Sequence, residues 1–348
     1  MTWWSDHSGE ESLADRFDEA DVRQRPNRKG TRPRTKNRPE HADALTGMVL
    51  AVDRGRYTVL VDDARVTCSR ARELTKQAIV AGDLVGVVGD VSGDAGSLAR
   101  IVRVQERSTV LRRSADDTDA VERVIVANAD QLLIVIAAAN PEPRVRLVDR
   151  YLVAAFDAGI KPLLVITKCD IADPEPFLAN FAGLDMPIFR SGTEDVPLEA
   201  LRSALLGHTT VAVGHSGVGK STLVNALVPA AQRATGHVNE VTGRGRHTSS
   251  STICFELETS EGSGWIIDTP GVRSFGLGHV NPDNILGSFP DLTAVAEACP
   301  RGCSHLLEAP DCAINEALAD GKLGASGATR VESLHRLLAT FADKTHWN

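Results

Sequence analysis

The run 209-TTVAVGHSGVGKSTLVNAL-227 constrains the fold of this chain more than any other stretch. A short apolar segment leads into an octapeptide of spacing GxxxxGK[ST], and a helix-forming segment follows. That order is strand, phosphate-cradling loop, helix. The glycines let backbone N–H groups turn inward. Gly214, His215, Ser216, Gly217, Val218, Gly219 and Thr222 are therefore expected to line the phosphates of a nucleotide. Lys220 would reach the β- and γ-phosphates, and Ser221 would ligate Mg²⁺. The surrounding residues agree on a parallel α/β sheet. Apolar runs at 131-QLLIVIAA-138, 162-PLLVIT-167, 186-MPIFR-190 and 209-TTVAV-213 read as buried strands, with helical periodicity over 144–159 and 196–207 between them.

A phosphate loop does not choose the base. Two further motifs bear on that choice. 268-DTPG-271 ends the apolar run WIIDT; Asp268 there would hold the Mg²⁺ shell, and the Gly271 N–H would meet the γ-phosphate. 167-TKCD-170 ends another strand and fits the guanine pattern [NT]KxD, contributed by Thr167, Lys168, Cys169 and Asp170. A carboxylate at Asp170 accepts both the ring N1–H and the exocyclic amine of guanine, a pair that adenine lacks. The base-reading motif thus precedes the phosphate loop, the reverse of the usual order in GTPases.

The flanks differ in character. Residues 41–107 read as five short alternating strands at 45–52, 56–62, 64–70, 84–89 and 98–104, which predicts a small β-barrel of OB type. Tyr57 is its one aromatic residue, so contacts to phosphate through Arg54, Arg56, Arg65, Arg70 and Arg72 suit it better than base stacking. Before it lies a tail whose acidic first half gives way to eight basic residues between Arg23 and Arg38, punctuated by prolines. Such a tail is expected to be disordered and able to lie along RNA, or to serve only as a solubilising segment. Beyond 281, periodic stretches at 313–321 and 328–343 predict a helical end. Cys299, Cys303, His305 and Cys312 offer it three thiolates and an imidazole, the set that a closed structural Zn²⁺ site takes. The other cysteines, Cys68, Cys169 and Cys254, are scattered and read as buried thiols. A net charge of −8 argues against coating nucleic acid with the whole surface, and the longest apolar run, Leu132–Ala139, is too short to span a bilayer. The polar, acidic start has no secretory character. A cytoplasmic monomer is expected.

Taken together, TKCD, 191-SGTE-194, GHSGVGKST, 243-GRGRHTSS-250 and DTPGVRSF resemble the RsgA (YjeQ) family of bacterial GTPases over roughly residues 41–320, the barrel, 127-ANADQ-131 and the Cys/His cluster included. The resemblance implies a circularly permuted Ras-like GTPase that acts in late maturation of the small ribosomal subunit. It implies Ser191 and Gly192 at the nucleotide, and the 30S subunit with its 16S rRNA as partner. The division expected is a tail at 1–40, a barrel at 41–107, a permuted GTPase domain at 108–280 and a zinc-binding helical domain at 281–348.

Several departures matter. Members of the family usually carry Asn where Thr167 stands; a hydroxyl there can still bond guanine N7 and neighbouring loop groups, so retained guanine choice with somewhat altered affinity is expected. The family's spacing in the cysteine cluster is four and five residues where this chain has three and six, which alters the local loop. Val272 follows DTPG, where Ras-like enzymes have a water-orienting glutamine. Slow intrinsic hydrolysis is therefore expected. His247 is the candidate catalytic residue by resemblance, with Thr248 beside it as switch threonine and second Mg²⁺ ligand; Arg244 and Arg246 are rival charge stabilisers. Two functions stay open: a GTPase stimulated by the small subunit, or an RNA-binding assembly factor in which GTP only sets conformation.

Overall fold

A computed structural model of the chain describes residues 41–342, apart from positions 54, 76, 115–121, 230–251, 270–274, 276, 278 and 279. The tail at 1–40 lies outside the described residues, as do Arg54, Arg244, Arg246, His247, Thr248, Gly271 and Val272.

Strands β1 (Leu45–Asp53), β2 (Arg56–Val61), β3 (Ala64–Arg70), β4 (Leu84–Gly89) and β5 (Ala99–Val104) form the expected barrel. Their order is β1-β2-β3-β5-β4, and β4 returns to pair with β1, which closes it. The β3–β5 pair is parallel and the other barrel pairs are antiparallel. Alternation drives this closure: along β3, Val66 and Cys68 point inward while Arg65 and Thr67 face solvent. Tyr57 is only 5% exposed and belongs to the barrel core, so its ring offers no stacking platform. Arg56, Arg65, Arg70 and Arg72 are exposed. A hairpin of β6 (Val110–Ser114) and β7 (Glu122–Ala127) follows. Its arginine-interrupted strands give no clear alternation, so the hairpin leaves no signature in the sequence.

The second sheet contains β8 (Gln131–Ala137), β9 (Lys161–Thr167), β10 (Ile188–Arg190), β11 (Thr209–Val213), β12 (Ile253–Thr259) and β13 (Gly262–Asp268), ordered β10-β9-β8-β11-β13-β12. Neighbours run parallel except β12 and β13. The earlier strands β8, β9 and β10 lie on one side of β11, and the later ones lie on the other. Every residue of β8 is buried. Leu132, Ile134 and Ile136 join one apolar cluster and Leu133, Val135 and Ala137 another, because successive side chains leave a strand on opposite faces. Helices α1 (Val145–Asp157), α2 (Glu175–Leu178), α3 (Leu198–Leu205) and α4 (Lys220–Leu227) accompany these strands. One bridge, Ala51 to Ile253, carries the barrel onto the edge of this sheet.

The end of the chain is helical: α5 (Pro282–Gly287), α6 (Pro290–Ala296), α7 (Ala313–Ala319) and α8 (Gly324–Ala342). The last two match the periodic stretches. The short α5 and α6 each begin with proline in the first turn, where its missing N–H costs nothing. These helices share one core with the sheet: Phe289, Ile314 and Leu334 fall in the same cluster as Leu132, Ile134 and Tyr151.

Candidate functional site

The phosphate loop leaves the carboxyl end of β11 and enters α4. Gly214 passes so close to β8 that a Cβ there would lie 2.5 Å from the Val135 carbonyl oxygen. Gly219, at φ 91°, turns the chain in the left-handed region into α4. The first-turn N–H groups of that helix have no partner inside the helix, which suits an anion. Val218 is buried and anchors the loop, while His215, Ser216, Gly217, Ser221 and Thr222 are exposed. Lys220 is buried and its ammonium pairs with the Asp268 carboxylate. Parallel pairing of β11 with β13 sets Asp268 opposite Ala212, so DTPG begins beside the phosphate loop. The buried Thr269 hydroxyl donates to the Ala212 carbonyl at 2.9 Å and fixes that junction. Nothing in the sequence singles out Thr269 from its neighbours.

TKCD lies at the end of β9, two strands from β11. Asp170 receives two hydrogen bonds from Thr193, from its N–H at 3.1 Å and from its hydroxyl at 2.8 Å. Chiefly the hydroxyl bond holds the Asp170 carboxyl below its ordinary pKa. Thr193 is the third residue of SGTE, and sequence reasoning stopped at its two predecessors. Ser191 is buried; its N–H donates to the Ile166 carbonyl at 2.9 Å and its carbonyl accepts from the Cys169 N–H at 3.1 Å. A Cβ at Gly192 would lie 3.5 Å from the Asp170 carboxylate, so the loop skirts that side chain. The Cys169 thiol donates inward to the Ile166 carbonyl, and burial raises its pKa, which leaves this residue only its main chain to offer. Two side chains join the motif to the phosphate loop. Lys168 donates from Nζ to the carbonyls of Gly217, at 2.9 Å, and of Asn140. Thr167 donates from its hydroxyl to the Val218 carbonyl at 2.6 Å, with the Ile136 carbonyl at 3.3 Å. The loop group foreseen as a partner for this hydroxyl is thus Val218.

Away from these loops, Cys299, Cys303, His305 and Cys312 bring their ligand atoms within 4.8 Å of one another. The Cys299 Sγ lies 3.6 Å from His305 Nδ1 and 4.0 Å from Cys312 Sγ, and Cys312 Sγ lies 3.8 Å from the same imidazole nitrogen. Ligands of one tetrahedral zinc ion would stand about 3.5–3.8 Å apart, so this donor set fits such an ion. The Ala313 N–H donates to the Cys299 sulfur at 3.3 Å, as suits a sulfur carrying negative charge. Burial lowers the His305 pKa, which favours the neutral ring that a metal ligand needs. All six cysteines are free of disulfides. Three thiolates with one imidazole fill four coordination positions and leave none for substrate.

Comparison with known proteins gives a consistent picture. Residues 104–278 match the family model described as RsgA GTPase. A protein of Pseudomonas aeruginosa named small ribosomal subunit biogenesis GTPase RsgA is 35% identical, with 86% of each chain covered. Its counterpart in Ectopseudomonas mendocina is 38% identical over 76% of each chain. In fold, the chain resembles the crystal structure of YjeQ from Thermotoga maritima, with a TM-score of 0.60 at 24% identity over 86% of this chain and 99% of that one. It resembles equally YloQ, described as a circularly permuted GTPase, with a TM-score of 0.60 at 24% identity over 89% and 99%.

Proposed function

This chain belongs to the RsgA family of GTPases, and on that premise we propose that it hydrolyses GTP on the small ribosomal subunit to drive a late maturation or factor-release step. The observation that carries the proposal is the single site formed by the phosphate loop and TKCD, tied through Lys168 and Thr167, with a charged Asp170 fixed by Thr193. Asp170 takes the guanine edge. The loop 214–222 holds the phosphates, with Lys220 moving from Asp268 to the β- and γ-oxygens. Mg²⁺, when bound, neutralises charge that develops on the transferred phosphoryl group, and Ser221, Thr248 and the region of Asp268 are the residues to hold it. His247 orients the attacking water where Val272 cannot. One Zn²⁺ on Cys299, Cys303, His305 and Cys312 is structural.

The exposed arginines of the barrel, Arg56, Arg65, Arg70 and Arg72, take 16S rRNA phosphates, and the buried Tyr57 supports contact without base stacking. Among the described residues no helix is long and apolar enough to cross a membrane. GTP turnover measured with and without purified 30S subunits tests this function. A large subunit-dependent rise is expected. Unchanged turnover, with GTP-dependent binding to the subunit retained, would leave the nucleotide as a conformational signal only.

A further inference from the structure

We infer that Thr167 is a positioning residue and not a base contact, so that this site reads guanine on its Watson–Crick edge and ignores N7. The inference rests on the proposed guanine site and on the number of protons each group there can donate. Guanine N7 is an acceptor and can be met only by a donor. A threonine hydroxyl carries one proton, whereas the amide usual at this position in the family carries two. The Thr167 hydroxyl lies between two carbonyl oxygens, that of Val218 at 2.6 Å and that of Ile136 at 3.3 Å, and the residue is 7% exposed. Both neighbours are acceptors, so the proton goes to one of them and the hydroxyl has only lone pairs left. Lone pairs facing N7 make no bond.

The other side-chain donors of the motif are committed too: Lys168 donates to the carbonyls of Gly217 and Asn140, and the Cys169 thiol donates to that of Ile166. The Thr167 side chain also packs at ordinary contact distance beside Gly219, at 3.7–3.9 Å from where a Cβ would stand. Thr167 therefore senses the shape of the phosphate loop. Its loss perturbs affinity for every nucleotide alike, while choice of base stays with Asp170.

The test compares GTP with 7-deaza-GTP, in which a C–H replaces N7, in competition binding to the full chain with Mg²⁺ and with ATP as control. The unmodified protein is expected to bind the two guanine nucleotides within about twofold of each other and to prefer both to ATP. Thr167→Ser should behave the same way. Thr167→Val should weaken both equally, and Thr167→Asn should introduce a preference for GTP of about fivefold, the worth of one added hydrogen bond. A fivefold or greater penalty on 7-deaza-GTP in the unmodified protein overturns the inference alone, as does a changed ratio in Thr167→Val. Equal binding of GTP and ATP overturns the guanine site itself, and the inference with it. The unmodified protein decides the matter even if a variant fails to fold.

Discussion

At the scale of single residues, the charged groups carry the sharpest consequences. Asp170 is expected to set base choice, so Asp170→Asn should weaken GTP by about 10- to 100-fold, the worth of hydrogen bonds to a charged acceptor. The variant should gain affinity for xanthosine triphosphate, whose carbonyl replaces the amine. Competition binding with the two triphosphates checks this, and unchanged GTP affinity would remove TKCD as base reader. Because Thr193 lowers the Asp170 pKa, its charge persists above the ordinary carboxylate range and is lost only as pH falls below it. GTP affinity should therefore not decline through this group between pH 8 and pH 5. Asp149 behaves oppositely. Burial raises its pKa to about 6 against the attraction of Arg336, whose Nε lies 3.1 Å from both carboxylate oxygens. The raised value means that the folded protein keeps a proton which the unfolded chain releases between about pH 4 and 6. Asp149 thus costs stability progressively as pH rises through that window, and Arg336 offsets the cost once the carboxylate is charged. Arg336→Met should cost about 2–3 kcal/mol at pH 8, and less at pH 5, where Asp149 becomes neutral. Urea titrations of parent and variant at the two pH values measure the difference. An equal loss at both would mean that packing alone, including that of the guanidinium over Phe181, explains the effect.

At the scale of elements, α1 connects the parts that nucleotide state should concern. Arg150 donates to the Phe275 carbonyl at 3.3 Å, and Tyr151 meets the Phe275 ring edge-on at 5.7 Å. Phe275 follows DTPG in sequence. Farther along the same helix, Phe156 packs edge-on against Phe289 and Asp157 accepts from the Asn281 N–H. One helix thus seats both Phe275 and the start of the C-terminal helices. Phe275→Ala should cost about 3–5 kcal/mol, since the ring is fully buried and leaves a cavity. Denaturant unfolding measures that loss, and a cost below about 1 kcal/mol would show that the seat is not used in solution. Most elements could be read before the fold was known, because a buried strand or an amphipathic helix states its period locally. The six apolar residues of β8, Leu132 to Ala137, and the alternation of β3 are of that kind. Helices α5 and α6 are harder to read because each opens with Pro-Asp, a pair that also marks turns, whereas the equally short α7 opens without either residue.

At the scale of the molecule, the C-terminal helices and the sheet share an apolar core, and the Cys/His cluster is fastened to it. Cys312 is buried in that core and precedes α7, whose Ile314 packs there as well. Metal analysis of freshly purified protein should find about one zinc per chain. Chelation should lower the melting temperature and the hydrogen-exchange protection of residues 299–319. It should leave GTP affinity within about twofold, because the Thr167, Lys168 and Asp170 contacts described above use no group beyond residue 280. Loss of GTP binding in step with the metal would contradict a purely structural cluster. What depends on near neighbours along the chain is legible in the residues alone. The glycine spacing of the phosphate loop, TKCD at a strand end, the alternation of the barrel strands and the ligand count at Cys299–Cys312 can all be read over a few residues. Which distant groups meet depends on how the chain is threaded through space. Strand pairing places Asp268 beside Lys220, SGTE folds Thr193 onto Asp170, and α8 brings Arg336 to Asp149 across 187 residues. The direction of the one Thr167 proton belongs to the same class, since it is set by carbonyls of two other segments. A residue type fixes what a side chain can donate or accept, but the path of the chain fixes what is there to receive it.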